Sequence, residues 1–328
     1  MPTNLPPEYY EADKRYRAAQ SPAEKITSLE ALISTIPKHK GTDHLRAGLR
    51  QRLSKLKSTA ETKKSLGRYD SAYNIDKEGA GQVAVIGPAN VGKSALVALL
   101  TNASPEVADF PHTTWSPTPG MMPVENIQIQ LIDTPPLSRD YVDPDFLDLM
   151  RRVDLMLIVV DVQTDPLQQL EDTVAILSEH RLAPRHLQAK YPDQLRLTFI
   201  PCLVVANKND DEQSDENVEI FCELLEETWP LLPVSTMTGR QLERLKACVF
   251  EALEIIRVFT KAPGQEPDFT APFVLEKGGT VLDLAEKIHH DFVDKLKTAR
   301  VWGKVDFDGQ MVKRDHVLHD GDVVELHI

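Results

Sequence analysis

From residue 82 onward, short apolar runs alternate with stretches in which apolar residues recur every three or four positions. The runs are "QVAVIG", "IQIQLID", "DLMLIVVD", "PCLVVAN" and "WPLLPVS". Near-continuous apolar runs of this length fit strands buried on both faces of a parallel sheet. The helix-like stretches between them cover 93–102, 144–152, 165–178, 213–227 and 239–257. This alternation predicts an α/β domain over 81–260, doubly wound around a mostly parallel sheet.

The pattern differs on either side. Over 8–64 the period is helical: Ile26, Leu29, Ile33 and Ile36 form one stripe, and Leu45, Leu49, Leu53 and Leu56 a second. "PKHKGTD" separates them, with Thr42 or Asp43 as N-cap, so 1–80 reads as a helical hairpin arm. On the other side, "TKAPGQEPD" (260–268) reads as a polar linker. Beyond it, 270–328 carries "APFVLEKGGT" as a hairpin, "VLDLAEKIHHDFV" as a helix, and "ARVWGKV" with "DVVELHI" as two further strands. A sheet wrapped on one helix is the natural solution for so short a segment.

Composition narrows the class. A chain of 328 residues with 41% hydrophobic and 27% charged residues is an ordinary globular protein of two or three domains. The N-terminus has no apolar signal core, and the longest apolar run, Leu155 to Val160, is too short to cross a bilayer. Cys202, Cys222 and Cys248 show no metal-ligand spacing, so a reducing, cytoplasmic location is expected. The net charge of −13 argues against nucleic acid, but its distribution does not. Residues 37–68 hold Lys38, Lys40, Arg46, Arg50, Arg52, Lys55, Lys57, Lys63, Lys64 and Arg68 against Asp43 and Glu61. That run is +8 and leaves −21 elsewhere. It is either a contact for a phosphate backbone or a solvated helix face.

The chemistry lies at the strand ends. "GPANVGKS" (Gly87 to Ser94) fits G-x-x-x-x-G-K-S/T, follows the strand "QVAVI" and opens a helix. There Gly87, Asn90, Val91, Gly92, Lys93, Ser94 and Ala95 form a phosphate cradle. Lys93 reaches the β- and γ-phosphates, and the Ser94 hydroxyl holds Mg²⁺. "NKND" contributes Asn207, Lys208 and Asp210; a carboxylate at Asp210 accepts both N1–H and the 2-amino group of guanine, which adenine cannot match. Ser235 and Thr236 end the next strand and support the base. Thr114, preferred to Thr113 in "FPHTTWSP", completes the Mg²⁺ set with Ser94 and Asp133 of "LIDTPPL". In that last stretch Pro136 stands where a γ-phosphate-sensing glycine belongs, and proline has no N–H to give. Leu137 stands where glutamine often orients water. Asn90 has two readings: a ligand for K⁺ beside the phosphates, or a turn asparagine satisfying its own backbone.

Taken in order, these motifs and the 271–328 tail resemble the Obg-related GTPases, in the developmentally regulated GTP-binding branch, with a C-terminal TGS domain. The resemblance implies a β-grasp tail, GTP and GDP as ligands with Mg²⁺, and a role on ribosomes or an RNA–protein translation partner. It also implies contacts to RNA or protein through the arm and the tail. The expectation is a slow GTPase in which Lys93, Thr114 and Asn90 serve catalysis. The alternative is a nucleotide-binding scaffold with negligible turnover. An ATPase requires Asp210 to face away from the base.

Overall fold

The structure is a computed structural model and describes residues 22–35, 71–101, 116–139, 142–191 and 196–327, with Ala12, Lys14 and Leu49 besides. It divides into a unit of residues 1–71 and a unit of 72–328. In the first, helix α1 (Pro22–Thr35) buries Leu29 and Leu32, while Ile33 is half-buried, so the buried line runs through Leu32. Leu49 is helical and buried. The rest of the second predicted helix, its Thr42 or Asp43 cap and the basic run lie outside the described residues.

In the second unit, β1 (Gln82–Ile86), β3 (Ile127–Asp133), β4 (Leu155–Asp161), β7 (Cys202–Asn207) and β8 (Leu231–Pro233) run parallel. With β2 (Thr118–Val124) they form a six-stranded sheet in the order β2-β3-β1-β4-β7-β8, while β5 (Leu182–Pro184) and β6 (Thr198–Ile200) pair parallel in a separate two-stranded sheet. Every residue of the central β4 is buried, which is why its sequence is apolar without alternation. Alternate residues of the strands feed two cores. Val83, Val85, Leu131 and Leu157 pack under α2 (Lys93–Leu100) and α6 (Leu242–Ala252). Ile86, Ile158 and Val204 pack under α3 (Pro144–Met150), α4 (Pro166–Glu179) and α5 (Glu212–Leu224). The helix starts are locally encoded: Asp143, Asp165 and Asp211 each cap a first turn.

Strand β2 has no counterpart in the sequence reading. It pairs antiparallel with β3 at the sheet edge and leaves Pro119 and Pro123 exposed. Proline donates no ladder bond, so a strand carrying two prolines is confined to an edge.

The second sheet is built from β9 (Ile255–Thr260), β10 (Asp268–Glu276), β11 (Thr298–Trp302), β12 (Gln310–Val312) and β13 (Val323–His327), in the order β10-β9-β13-β11-β12. Helix α7 (Val281–Ile288) lays Val281, Leu284 and Ala285 against Val258, Leu275, Val301 and Val324. Several predicted boundaries change here. The helix expected over 239–257 ends at Ala252, and 255–260 opens the second sheet instead of closing the first. "TKAPGQEPD" therefore joins two antiparallel strands of one sheet and is no interdomain linker. "APFVLEK" is the end of the long strand β10 and the turn after it, not a hairpin. The helix expected from 281 breaks at His289, whose backbone is extended, and resumes as α8 (His290–Lys295). Strand β12, too short to read from the sequence, adds the outer edge. Trp302 is half-buried, with the Lys261 ammonium 4.1 Å from its ring centroid.

Candidate functional site

The carboxyl ends of β1, β3, β4, β7 and β8 meet at one edge of the large sheet, where ligands bind in open α/β folds. Gly87 leaves β1 with φ of 141°, and a Cβ there would stand 2.4 Å from the Val159 carbonyl oxygen. Asn90 turns through the left-handed region at φ of 65°, so its backbone alone accounts for an asparagine. Gly92, at φ of 94°, precedes α2, and a Cβ on it would stand 2.4 Å from Asn207 Nδ2. Only glycine lets the loop lie this close to the end of β7. Val91 is buried beneath the turn, Ala95 is exposed, and Ser94 is half-buried.

Lys93 is 4% exposed. Its ammonium donates to the carbonyl oxygens of Gly87 at 3.0 Å and Pro88 at 2.7 Å. Burial pushes its pKa down to about 8, against the opposing pull of Asp133. At the tip of β3, Asp133 Oδ2 accepts from the Ser94 hydroxyl at 2.6 Å. Asp133 Oδ1 is buried with no hydrogen-bond partner among the described residues. Burial raises the pKa of this carboxyl, with the Ser94 hydroxyl and Lys93 pulling it back.

The segment after Asp133 is anchored more firmly than its sequence suggests. Thr134 Oγ1 donates to the Val85 carbonyl at 2.8 Å, and the Leu137 N–H donates to the Gly87 carbonyl at 3.1 Å. Leu137 packs its side chain against the core beneath α3, α4 and α5. Pro136 is exposed between these anchors.

The residues expected to recognise a base converge as well. Asn207 is fully buried; its Nδ2 donates to the Val91 carbonyl at 2.8 Å, and its Oδ1 accepts from the Thr236 N–H at 3.2 Å. The Asp210 carboxylate accepts from Ser235 Oγ at 2.5 Å and from Gln163 Nε2 at 3.1 Å. Lys208, at φ of 64°, donates to Asp161 Oδ2 at 2.5 Å. Thus Gly87, Asn90 to Ser94, Asp133, Asn207, Lys208, Asp210, Ser235 and Thr236 stand on one edge of the sheet. Thr113, Thr114 and Trp115 lie outside the described residues. Asp161 and Gln163 join the site without belonging to any of the sequence motifs. A signal for them was present: "DVQTD" follows the longest apolar strand, at the same carboxyl edge as the motifs.

The arrangement suits a triphosphate. A helix start and a buried ammonium face the loop, with two hard oxygens beside them. The uncommitted Oδ1 of Asp133, next to the Ser94 hydroxyl, fits a divalent cation such as Mg²⁺. Among the described residues, no cluster of three or more His, Cys, Asp or Glu is placed to hold a metal by itself. None of the described helices is long and apolar enough to cross a membrane.

Residues 82–208 match the family model described as 50S ribosome-binding GTPase, and residues 256–328 match the TGS domain model. The chain is 30% identical to an uncharacterized GTP-binding protein of Methanocaldococcus jannaschii, over 93% of this chain and 92% of the relative. It is 28% identical to developmentally-regulated GTP-binding protein 1 of Xenopus laevis, over 92% and 98%. With ribosome-interacting GTPase 1 of Saccharomyces cerevisiae the identity is 26%, over 92% and 98%.

Proposed function

The chain belongs to the developmentally regulated GTP-binding branch of the Obg-related GTPases, guanine-nucleotide-binding proteins with a C-terminal TGS domain, and from that premise we propose that it hydrolyses GTP slowly to GDP and phosphate on a ribosome or RNA–protein partner. The observation that supports catalysis most is the Ser94–Asp133 pair with its uncommitted Oδ1, set beside the buried ammonium of Lys93. A silent nucleotide site has little use for this set.

In this reading Gly87 to Ala95 wrap the phosphates. Lys93 exchanges its two loop carbonyls for β- and γ-phosphate oxygens. Ser94 and Asp133, with Thr114, would hold Mg²⁺, which would neutralise charge on the triphosphate when bound. Asn207 and Thr236 brace the phosphate loop from behind, while Asp210, with Ser235, reads the guanine edge. Turnover is slow because Pro136 offers no N–H to the γ-phosphate and Leu137, an apolar side chain packed against the core, orients no water. Asn90 as a K⁺ ligand is the remaining accelerating device; equal turnover in KCl and NaCl would remove it. The ribosomal setting rests on the name of the yeast relative and on the basic run at 37–68.

Phosphate release from GTP by the purified chain with Mg²⁺ tests the reading, with Lys93→Ala as the blank. Release above the blank, competed by GDP and not by ATP, is the expected result. Nucleotide binding with release no greater than the blank makes the protein a scaffold. Equal competition by ATP removes the guanine reading altogether.

A further inference from the structure

Asp210 is held from two directions, and one of its partners belongs to no motif. Strand β4 ends at Asp161, and the turn after it lies against the end of β7. The Val162 N–H donates to the Asn207 carbonyl at 3.1 Å, and Asn217 of α5 donates back to the Val162 carbonyl at 3.1 Å. Asp161 closes the turn with one oxygen, accepting from the Gln163 N–H at 2.9 Å, and grips Lys208 with the other at 2.5 Å. Gln163 then spends its side-chain amide on the recognition loop. Its Nε2 donates to the Lys208 carbonyl at 3.0 Å and to Asp210 Oδ2 at 3.1 Å. Ser235 Oγ takes the other oxygen, Asp210 Oδ1, at 2.5 Å, and is itself held by the Thr238 N–H at 2.9 Å.

We infer that Gln163 is a positioning residue for nucleotide specificity: it fixes the Asp210 carboxylate in the orientation that receives both donors of the guanine edge. The inference deepens the guanine reading above and rests on it. A carboxylate has about four acceptor positions. Gln163 and Ser235 fill one on each oxygen, and one on each oxygen is left for N1–H and the 2-amino group. With both oxygens tethered, rotation of the carboxylate about its Cβ–Cγ bond is stopped before a base arrives. Without Gln163, Ser235 alone leaves that rotation partly free, and the Lys208 backbone, in the left-handed region, loses the donor to its carbonyl. Discrimination by paired donors is lost first where geometry loosens, because each donor must then find its acceptor at the cost of the other.

The test is nucleotide binding by full-length Gln163→Ala and Gln163→Glu, using GTP, ITP and ATP, with the melting temperature followed alongside. Inosine lacks the 2-amino group, so the GTP:ITP affinity ratio reads that contact alone. Gln163→Ala is expected to weaken GTP on the order of tenfold and ITP less, lowering the ratio severalfold. Gln163→Glu is expected to weaken GTP further, since a second carboxylate then faces Asp210. Gln163 is exposed, so both variants should fold and melt as the parent does. If the parent prefers GTP over ATP but Gln163→Ala leaves the GTP:ITP ratio unchanged, the positioning role is wrong while the guanine site stands. GTP and ITP falling by the same factor is the mark of a merely structural residue and overturns it too. A parent that shows no preference for GTP over ATP overturns the guanine reading, and this inference with it.

Discussion

Lys93 shows how a site residue works against the stability of its own fold. Its ammonium is buried among carbonyls, with Asp133 the charge that opposes its shift, and burial depresses its pKa to about 8. The nucleotide-free protein therefore carries a penalty for the charged form. Lys93→Met keeps the apolar stem and removes the charge; relief of desolvation, set against two carbonyls left without their donor, should stabilise the nucleotide-free protein at pH 7 by roughly 1–2 kcal/mol. The same change should abolish measurable GTP binding. The sign with pH follows from the native pKa lying below the ordinary 10.5. Between the two values the unfolded chain holds a proton that the native protein sheds, so the parent gains stability as pH rises and the advantage of the variant shrinks. Denaturant titrations of both proteins at pH 7 and pH 9 measure this, and an advantage that grows with pH would contradict it. Lys93 and Ser94 were readable because loop chemistry demands them at fixed spacing. Leu137 was not: its sequence position marks only what it lacks, and its packing into the core is a tertiary fact.

At the scale of an element, the segment Asp133 to Leu137 is tied at both ends around a rigid residue. Its ends are bonded to β1 and to Gly87 at the start of the next loop, and Pro136 removes both an N–H and a degree of freedom between them. Pro136→Gly restores the N–H. It should raise the preference for GTP over GDP by about tenfold, one hydrogen bond to a charged group. It should also lower stability by roughly 0.5–1 kcal/mol through the freer unfolded chain. Competition binding with GDP and a non-hydrolysable GTP analogue, and a melting curve, check both effects; an unchanged preference would mean that Pro136 does not face the γ-phosphate. Legibility at this scale followed burial. Strands buried on both faces announced themselves as apolar runs, and the helices of the large sheet by their period. Edge strand β2 was hidden by the prolines that its exposed edge tolerates. The start of the second sheet was hidden because Glu254, at φ of 51°, turns the chain between α6 and β9 without a glycine or proline to mark it.

Across the whole molecule, one hairpin joins the carboxyl edge of the large sheet, at Asp133, to the small sheet. Strands β2 and β3 pair from Thr118–Asp133 at one end to Val124–Ile127 at the other. At the far end Glu125 bonds Arg257 of β9, and Asn126 Nδ2 donates to the Phe269 carbonyl at 3.3 Å. Arg257 also makes a paired contact to Asp320, at 2.7 and 3.0 Å, and lies 4.8 Å from the Phe250 ring centroid. Glu125 is largely exposed, so Glu125→Ala should cost under about 1 kcal/mol. Arg257→Ala leaves Asp320 the Arg257 backbone N–H at 2.7 Å but takes away the guanidinium bonds and the cation from the Phe250 ring, and should cost about 2–3 kcal/mol in chemical denaturation. Equal costs would mean that the contact between the sheets, and not the small sheet itself, carries the Arg257 effect. The basic run at 37–68 poses the last question at this scale. Its excess of +8 on a chain of −13 is large enough to overcome the repulsion of the body only where several cations meet phosphates together. Replacing Lys55, Lys57, Lys63 and Lys64 by Gln in the full chain removes four charges without shortening it. If these lysines lie on an RNA backbone, ribosome co-sedimentation should weaken, and the slope of log affinity against log salt should flatten by about 0.7–0.9 for each phosphate no longer neutralised. A solvated helix face predicts the opposite result: pelleting and slope unchanged. The salt slope is the decisive reading, because a weakened protein interface through the TGS domain can lower affinity equally while leaving that slope where it was.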